Sequence, residues 1–358
     1  AEVGVGRLVI GEDALRVVPF QLLAAAGTHG TVAEQNRLGQ TAGMVEVRQR
    51  LLLLVRRVLA VVGELTLVAP HARDPLLGLL RSLATHELVR AAVVVPGEDR
   101  NLRAVVHLGA CSDTSETDQD YLRKTNLEYS QRLWNYCSRN NVQLIYASSG
   151  ATYGSGEQGY SDNESKISEL KPLNLYGQSK QDFDIWALRE EKKGNTPPLW
   201  TGFKFFNVYG FGERHKKGMS SVILKAFDQI SASGQVTLFR SHHADFKDGE
   251  QMRDFISVQD VNEVILHALE RPIRRGIYNL GTGHARTFLD LVKATFAAMQ
   301  CPENIRFIDT PEKLRSHYQY FTEAKMDRLR AVGYLKPFLS LEEGVQLYVD
   351  RLQKNQKA

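Results

Sequence analysis

The segment LNLYGQSKQDFD, residues 173–184, places Tyr176 and Lys180 four positions apart in a stretch of helical character. Side chains at that spacing share one helix face. A phenol beside an ammonium can release and recover a proton near neutral pH, because positive charge favours the phenolate. Upstream, YASSGATYG puts Ser148 and Ser149 where an apolar run ends. Ligands of open parallel sheets bind at such strand ends, and a hydroxyl there can hydrogen-bond a substrate alcohol while Tyr176 exchanges its proton. Lys180 can also reach the ribose hydroxyls of a dinucleotide. A Tyr-x-x-x-Lys match alone is more often a surface contact, but strand-end serine, helix pair and a following FFNVYG run in this order rarely coincide by chance.

Other chemistry-bearing residues have plainer readings. His242 and His243 lie in a polar loop without the further ligands a metal site needs, so no metal is expected. Arg253 precedes an apolar strand; it suits a structural ion pair, but more so bidentate binding of a phosphate. Arg56 and Arg57 read as a solvated face. Cys111, Cys137 and Cys301 are odd in number and far apart, which fits reduced thiols better than a disulfide framework. Cys111 itself reads as a small packing residue.

The elements that must position these residues are legible from about residue 103 onward. RAVVHLGA (103–110) is a short apolar run ending in small residues, a buried parallel strand and a tight turn. Residues 120–141 carry apolar side chains near helical spacing, VQLIYASSG is a second strand, and LWTGFKFFNVYG (199–210) reads as another. MRDFISV and GIYNLGTG read as strands around the helix VQDVNEVILHALER. The alternation predicts an α/β fold: a doubly wound, Rossmann-like parallel sheet with helices on both faces and a smaller substrate-binding domain.

The bulk numbers agree. The 358 residues are 43% hydrophobic and 24% charged with a net charge of +4, ordinary for a soluble protein and no signature of nucleic-acid binding. The most apolar stretch, residues 50–70, is interrupted by Arg56, Arg57 and Glu64, short of the roughly 20 apolar residues that span a membrane. VVPFQLLAAAG lacks a closely preceding basic region and makes a poor secretory signal, so a cytoplasmic protein is expected.

A compositional seam lies near residue 103. No lysine occurs before Lys124, no tyrosine before Tyr121 and no tryptophan before Trp134, and Ile10 and Phe20 are the only early isoleucine and phenylalanine. Residues 1–103 are therefore read as an anomalous segment of different origin, a fusion or a shifted reading frame, rather than an ordinary Ala/Leu-rich helical domain.

From about Ala104 to the C-terminus the chain resembles the extended short-chain dehydrogenase/reductases, and among them the ADP-L-glycero-D-manno-heptose 6-epimerases. HLGACSDTSE, YASSGATYG, PLNLYGQSK, FKFFNVYG, HKKGMSS, MRDFISVQDV, GIYNLGTG and HYQYFTEAKMDRLRAVGY follow that family's blocks in order, HKKGMSS and YQYFTEA being the more specific. The resemblance implies epimerisation at C-6″ of ADP-D-glycero-D-manno-heptose by transient oxidation and re-reduction with a tightly bound nicotinamide, NADP or else NAD, in lipopolysaccharide heptose supply. It implies Ser149, Tyr176, Lys180 and Lys216 as the catalytic set, Lys216 preferred over its neighbour Lys217. Tyr176 and Lys216 would serve as the two acid/bases, both with lowered pKa. Gly109, Ala110, Cys111, Ser112, Lys180 and Val208 would line the cofactor, and Asn207, Gly218, Lys225, Arg253 and Tyr318 the nucleotide sugar. It further implies a homo-oligomer, with residues 104–210 forming the rest of the dinucleotide domain and 211–358 mainly the sugar-nucleotide domain, 253–290 returning to the sheet. Gly218 stands where a serine is common, and the loop RSHHADFKDGEQ is longer than usual.

One half of the machine does not show. Residues 1–103 contain no glycine-rich G-x-x-G-x-x-G or G-x-G-x-x-G run between strand and helix; Gly4 and Gly6, or Gly27 and Gly30, lack a third glycine at the right distance. Without backbone N–H groups around the pyrophosphate, cofactor affinity should fall severely. The alternatives are therefore another nucleotide-sugar epimerase or dehydratase, or a cofactor-less remnant of the epimerase fold.

Overall fold

The structure is a computed structural model and describes residues 92–96, 102–271, 273–315 and 318–356. The readings on residues 1–91, the glycine search among them, lie outside the described residues.

Five strands form the main sheet in the order β1-β2-β3-β4-β8: β1 (Ala92–Pro96), β2 (Leu102–His107), β3 (Gln143–Ser149), β4 (Trp200–Phe205) and β8 (Gly276–Leu280). From β2 to β8 every pairing is parallel, while β1 joins the edge antiparallel with Ala92 opposite His107. The parallel strands are buried on both faces, as continuous apolar runs demand. On one face Val105, Leu144, Tyr146 and Trp200 pack against helix α1 (119–139) and α2 (Leu175–Lys192). Helix α1 is one continuous helix made of Gln119–Leu122, a π-helical turn Arg123–Glu128, and Tyr129–Arg139. On the other face Ala104, Val106, Ile145 and Phe203 pack against Val261, Val264, Ile265 and Ala268, which belong to helix α4 (Val258–Glu270). The doubly wound reading thus holds, with helices on both faces.

LWTGFKFFNVYG is not one strand. It breaks at Phe206, whose N–H donates to the Leu280 carbonyl (3.1 Å), and Asn207–Tyr209 (β5) leaves for a second sheet beside β7 (Met252–Ser257), with β9 (Ala285–Thr287) antiparallel on the far side. The apolar run is unbroken in sequence, so periodicity could not place the change of sheet. Strand β7 links two cores through its alternation: Ile256 belongs to the core of the main sheet, and Phe255 to a second core. That second core joins α3 (Val222–Ser233), α5 (Phe288–Ala298) and α6 (Leu341–Gln356) over the parallel pair β6 (Val236–Phe239) and β10 (Ile305–Ile308). Among the described residues no helix is long and apolar enough to cross a membrane.

Candidate active site

The site is built where β3 runs out. Ser148 and Ser149 are adjacent, yet strand alternation sends them to different partners. Ser148 Oγ donates to Asp184 Oδ2 at 2.7 Å, whereas Ser149 lies in hydrogen-bonding reach of the Tyr176 phenol. Ser149 also caps the turn Gly150–Tyr153, its Oγ accepting from the Ala151 N–H at 3.1 Å. Helix α2 begins beside this turn because Asn174 accepts the Gly177 N–H at 2.8 Å, satisfying one of the first-turn donors. Tyr176 therefore sits in the first turn of α2, with Lys180 one turn on.

The electrostatics of the pair differ from the sequence expectation. Burial pushes the Tyr176 phenol above its usual value, the Ser149 hydrogen bond opposing this and the neighbouring Cys111 adding to it. Its pKa is raised rather than lowered, because burial disfavours the anion. Lys180 is itself only 5% exposed, and its Nζ donates to the Ala147 carbonyl at 2.9 Å. Burial brings its pKa down from 10.5 to about 8, with Asp184 and then Cys111 working in the opposite direction.

The loop after β2 lies against this pair. Gly109 is buried, Ala110 and Cys111 are partly buried and Ser112 is exposed. Cys111 is near enough to act by charge on both Tyr176 and Lys180. Its backbone is held by Asn126 of the π-turn, which accepts from the Cys111 N–H (2.8 Å), donates to the Cys111 carbonyl (3.0 Å) and also donates to Ser179 Oγ (2.9 Å). Ser179 Oγ in turn donates to the Tyr176 carbonyl at 2.7 Å. One buried amide thus ties the loop to the helix that carries Tyr176. Sequence reasoning missed Asn126; an asparagine inside an apolar helix pattern was the available signal.

Lys216 lies on the short 3-10 helix Glu213–Met219 and is partly buried. It lines a cleft shared with Val208, Gly210, His215 and Val258, so the structure brings Lys216 and Val208 to one surface. Asn207 is exposed on β5. At the end of the 3-10 helix, Lys225 Nζ donates to the Gly218 carbonyl at 2.7 Å, joining two of the predicted substrate residues. Glu213 anchors the other end. It is buried and accepts from the Ser221 N–H (2.8 Å), the Ser221 hydroxyl (2.5 Å) and the Tyr348 hydroxyl of α6 (3.0 Å).

Arg253 and Tyr318 also meet. The Arg253 guanidinium lies 5.6 Å from the ring centres of both Tyr318 and Phe288. It donates to the carbonyls of Met252 (2.8 Å) and Gln319. Arg253 is 7% exposed, and burial lowers its pKa, with Tyr318 and Tyr160 raising it. Among the described residues no carboxylate forms an ion pair with it. Of the two readings, structural ion pair and phosphate ligand, the first therefore lacks its partner. His242 and His243 are exposed, though His242 Nε2 accepts the Thr310 N–H at 3.3 Å. The three cysteines are free thiols.

Comparisons with known proteins identify the family and the fold. Residues 82–281 match the model of the NAD dependent epimerase/dehydratase family, a match that begins upstream of the seam near residue 103. The chain is 48% identical over 257 residues to the ADP-L-glycero-D-manno-heptose-6-epimerase of Fusobacterium nucleatum subsp. nucleatum, covering 70% of this chain and 76% of that protein. It is 52% identical over 246 residues to the enzyme of the same name from Nitratidesulfovibrio vulgaris, covering 69% and 75%. In fold it is similar to the crystal structure of the Helicobacter pylori ADP-L-glycero-D-manno-heptose-6-epimerase, with a TM-score of 0.62 and 24% identity over 80% of this chain and 79% of that one. It is likewise similar to the Thermus thermophilus UDP-glucose 4-epimerase in complex with NAD, with a TM-score of 0.57 and 24% identity over 69% and 76%.

Proposed function

The chain belongs to the NAD dependent epimerase/dehydratase family, among its ADP-L-glycero-D-manno-heptose-6-epimerases, and we propose that it inverts C-6″ of ADP-D-glycero-D-manno-heptose with Ser149, Tyr176, Lys180 and Lys216 as its catalytic residues. The observation that carries this reading is the convergence of the Ser149 hydroxyl, the Tyr176 phenol and a buried Lys180 at the end of β3.

The described residues fit a nicotinamide dinucleotide. The loop Gly109–Ser112 is made of small residues, and its Cys111 is near enough to act by charge on both Tyr176 and Lys180. On this reading Gly109, Ala110, Cys111, Ser112, Lys180 and Val208 hold the cofactor, NADP in preference to NAD. When bound, the nicotinamide supplies reversible oxidation and reduction of the alcohol carbon. Ser149 Oγ orients the substrate oxygen by hydrogen bonding, and the Tyr176 hydroxyl takes or returns its proton. The Lys180 ammonium, in a site where burial strengthens every charge, favours the phenolate as that proton leaves. The carbon must be handled from two faces, so a second acid/base at Lys216 Nζ serves the other orientation.

Arg253, lacking a carboxylate partner among the described residues, binds a phosphate of the nucleotide sugar, and Tyr318 packs against it. Asn207, Gly218 and Lys225 complete the substrate side. Residues 104–210 then form the dinucleotide and catalytic part and 211–358 mainly the sugar-nucleotide part; of 253–290, which the sequence sends back to the sheet, β8 rejoins the main sheet and α4 packs on it, while β7 and β9 pair in the second sheet. A homo-oligomer in the cytoplasm, feeding lipopolysaccharide heptose, completes the proposal.

The test is direct. The purified chain is titrated calorimetrically with NADP and NAD and then given ADP-D-glycero-D-manno-heptose, with the product epimer resolved chromatographically. Binding of NADP and formation of the L-glycero epimer are expected. Absence of binding of either dinucleotide at millimolar concentration would reject the active-enzyme reading in favour of a cofactor-less remnant.

A further inference from the structure

Beneath the site lies a charged network that the proposed mechanism does not use. Lys204 on β4 and Asp184 on α2 form an ion pair at 2.6 Å in which both side chains are 0% exposed. Asp184 also accepts from Tyr146 (3.0 Å) and Ser148 (2.7 Å), and Lys204 donates to Thr152 Oγ1 at 2.8 Å and lies 5.4 Å from the centre of the Tyr153 ring. The pair thus joins β3, β4, α2 and the turn that follows Ser149. Desolvating two charges is costly, and an apolar pair of similar volume often serves a core as well or better. Stability alone is therefore a weak reason for this arrangement.

Its placement suggests another. Asp184 stands one helical turn beyond Lys180 and two beyond Tyr176, on the same face of α2. We propose that Asp184 is a positioning residue for the reaction: held in place by Lys204, Tyr146 and Ser148, it fixes the face of α2 that carries Tyr176 and Lys180 against the end of β3 that carries Ser149. The assignment rests on Lys180 belonging to the site, as proposed above.

The groups facing the two residues support this. Lys180 Nζ meets the Ala147 carbonyl from β3, and Asp184 on its own helix and Cys111 from the loop after β2 act on it by charge. Of these, Asp184 is the leading group that offsets the desolvation of the ammonium. Lys204 faces Asp184, Thr152 and Tyr153, and also acts on Asp162. Asp184 thus acts on Lys180 while it is itself ion-paired to Lys204.

The experiment follows the Lys180 titration itself. Protein labelled with ¹³C at lysine Cε is titrated by NMR without substrate, the Lys180 resonance being the one lost in Lys180→Arg. The parent midpoint should lie near the value of about 8 given by its surroundings. In Asp184→Asn the midpoint should fall, and in Asp184→Asn/Lys204→Met, which removes one negative and one positive charge together, it should fall by less. The alkaline limb of the turnover profile should move down with it. An unchanged midpoint in either folded variant overturns the proposal. A double variant that does not fold also overturns it, because the pair would then belong to the fold. A midpoint that falls in a chain that forms no epimer upholds the role of Asp184 toward Lys180 and fails only the enzymatic reading.

Discussion

Replacing Gly177 by alanine sets two known effects against each other at the centre of the site. Gly177 follows Tyr176 in the first turn of α2, and alanine is favoured over glycine in a helix by about 1 kcal/mol. Propensity alone predicts a more stable protein. A Cβ on Gly177, however, would lie 2.8 Å from the carbonyl oxygen of Ala151 and 3.0 Å from Cβ of Pro172. The nearest obstacle is backbone, in the turn that begins after Ser149, and cannot swing aside as a flexible side chain can. Overpacking of this kind costs about 1–3 kcal/mol, so the net effect should be destabilisation by roughly 1 kcal/mol. The strain is relieved by moving the start of α2 away from the turn, which separates Tyr176 from Ser149. A misplacement of about 1 Å is enough to lower turnover roughly 100-fold. Urea unfolding gives the first quantity, and conversion of ADP-D-glycero-D-manno-heptose the second. A Gly177→Ala protein about 1 kcal/mol more stable than its parent, with full turnover, would show that this contact does not hold the catalytic turn.

Three further outcomes can be checked independently. Lys180→Met should stabilise the chain by up to about 3 kcal/mol at pH 7, because burial depresses the lysine pKa from 10.5 to about 8. The unfolded chain then holds more protons between those values, so the parent gains stability as pH rises through that window and the advantage of the methionine fades; urea titrations at neutral and alkaline pH test this. Arg253→Met should keep the fold, since no described acid is left without its counter-charge, but weaken ADP binding about 10- to 100-fold by calorimetry. Unchanged affinity would remove Arg253 from the phosphate site. Glu213→Ala leaves the Ser221 and Tyr348 donors without their acceptor and should cost about 1–3 kcal/mol by urea unfolding. The same variant should lower the Tyr348 phenol pKa, which burial and then Glu213 raise, and a phenolate absorbance titration that finds no fall would refute that coupling.

What the sequence made legible follows from the range of each signal. Tyr176 and Lys180 were readable because their spacing is local and the helix fixes their relation. The parallel strands were readable as apolar runs, since burial on both faces leaves few polar positions. The break at Phe206 was not, because a chain changing sheets keeps the same apolar side chains while its hydrogen-bond partners change from Leu280 to the residues of β7. Ser148 and Ser149 looked alike as neighbouring hydroxyls; only the facing elements decide that one binds Asp184 and the other reaches Tyr176. Lys204 offered a signal that went unread. A lysine amid FKFF on a buried strand requires a partner, but its partner lies 20 residues away on a different element.

The pKa directions explain why this site needs more than the Tyr-x-x-x-Lys pair. Burial moves the phenol up and the ammonium down, so both members of the pair drift toward their neutral forms. A neutral phenol beside a neutral amine gives neither a ready phenolate nor a charge to stabilise one. Ser149 works against the first drift by hydrogen bonding Tyr176, and Asp184 works against the second by its charge on Lys180. The two compensating groups stand on different sides of the pair: one at the end of β3, the other deeper along α2. Ser148 joins them, donating to Asp184 from the position next to Ser149. The catalytic spacing in the sequence therefore becomes a working acid/base only through residues that hold the end of β3 against α2. Asn126 extends the same logic to the cofactor side, because its amide locks the Cys111 backbone to Ser179 and, through it, to Tyr176.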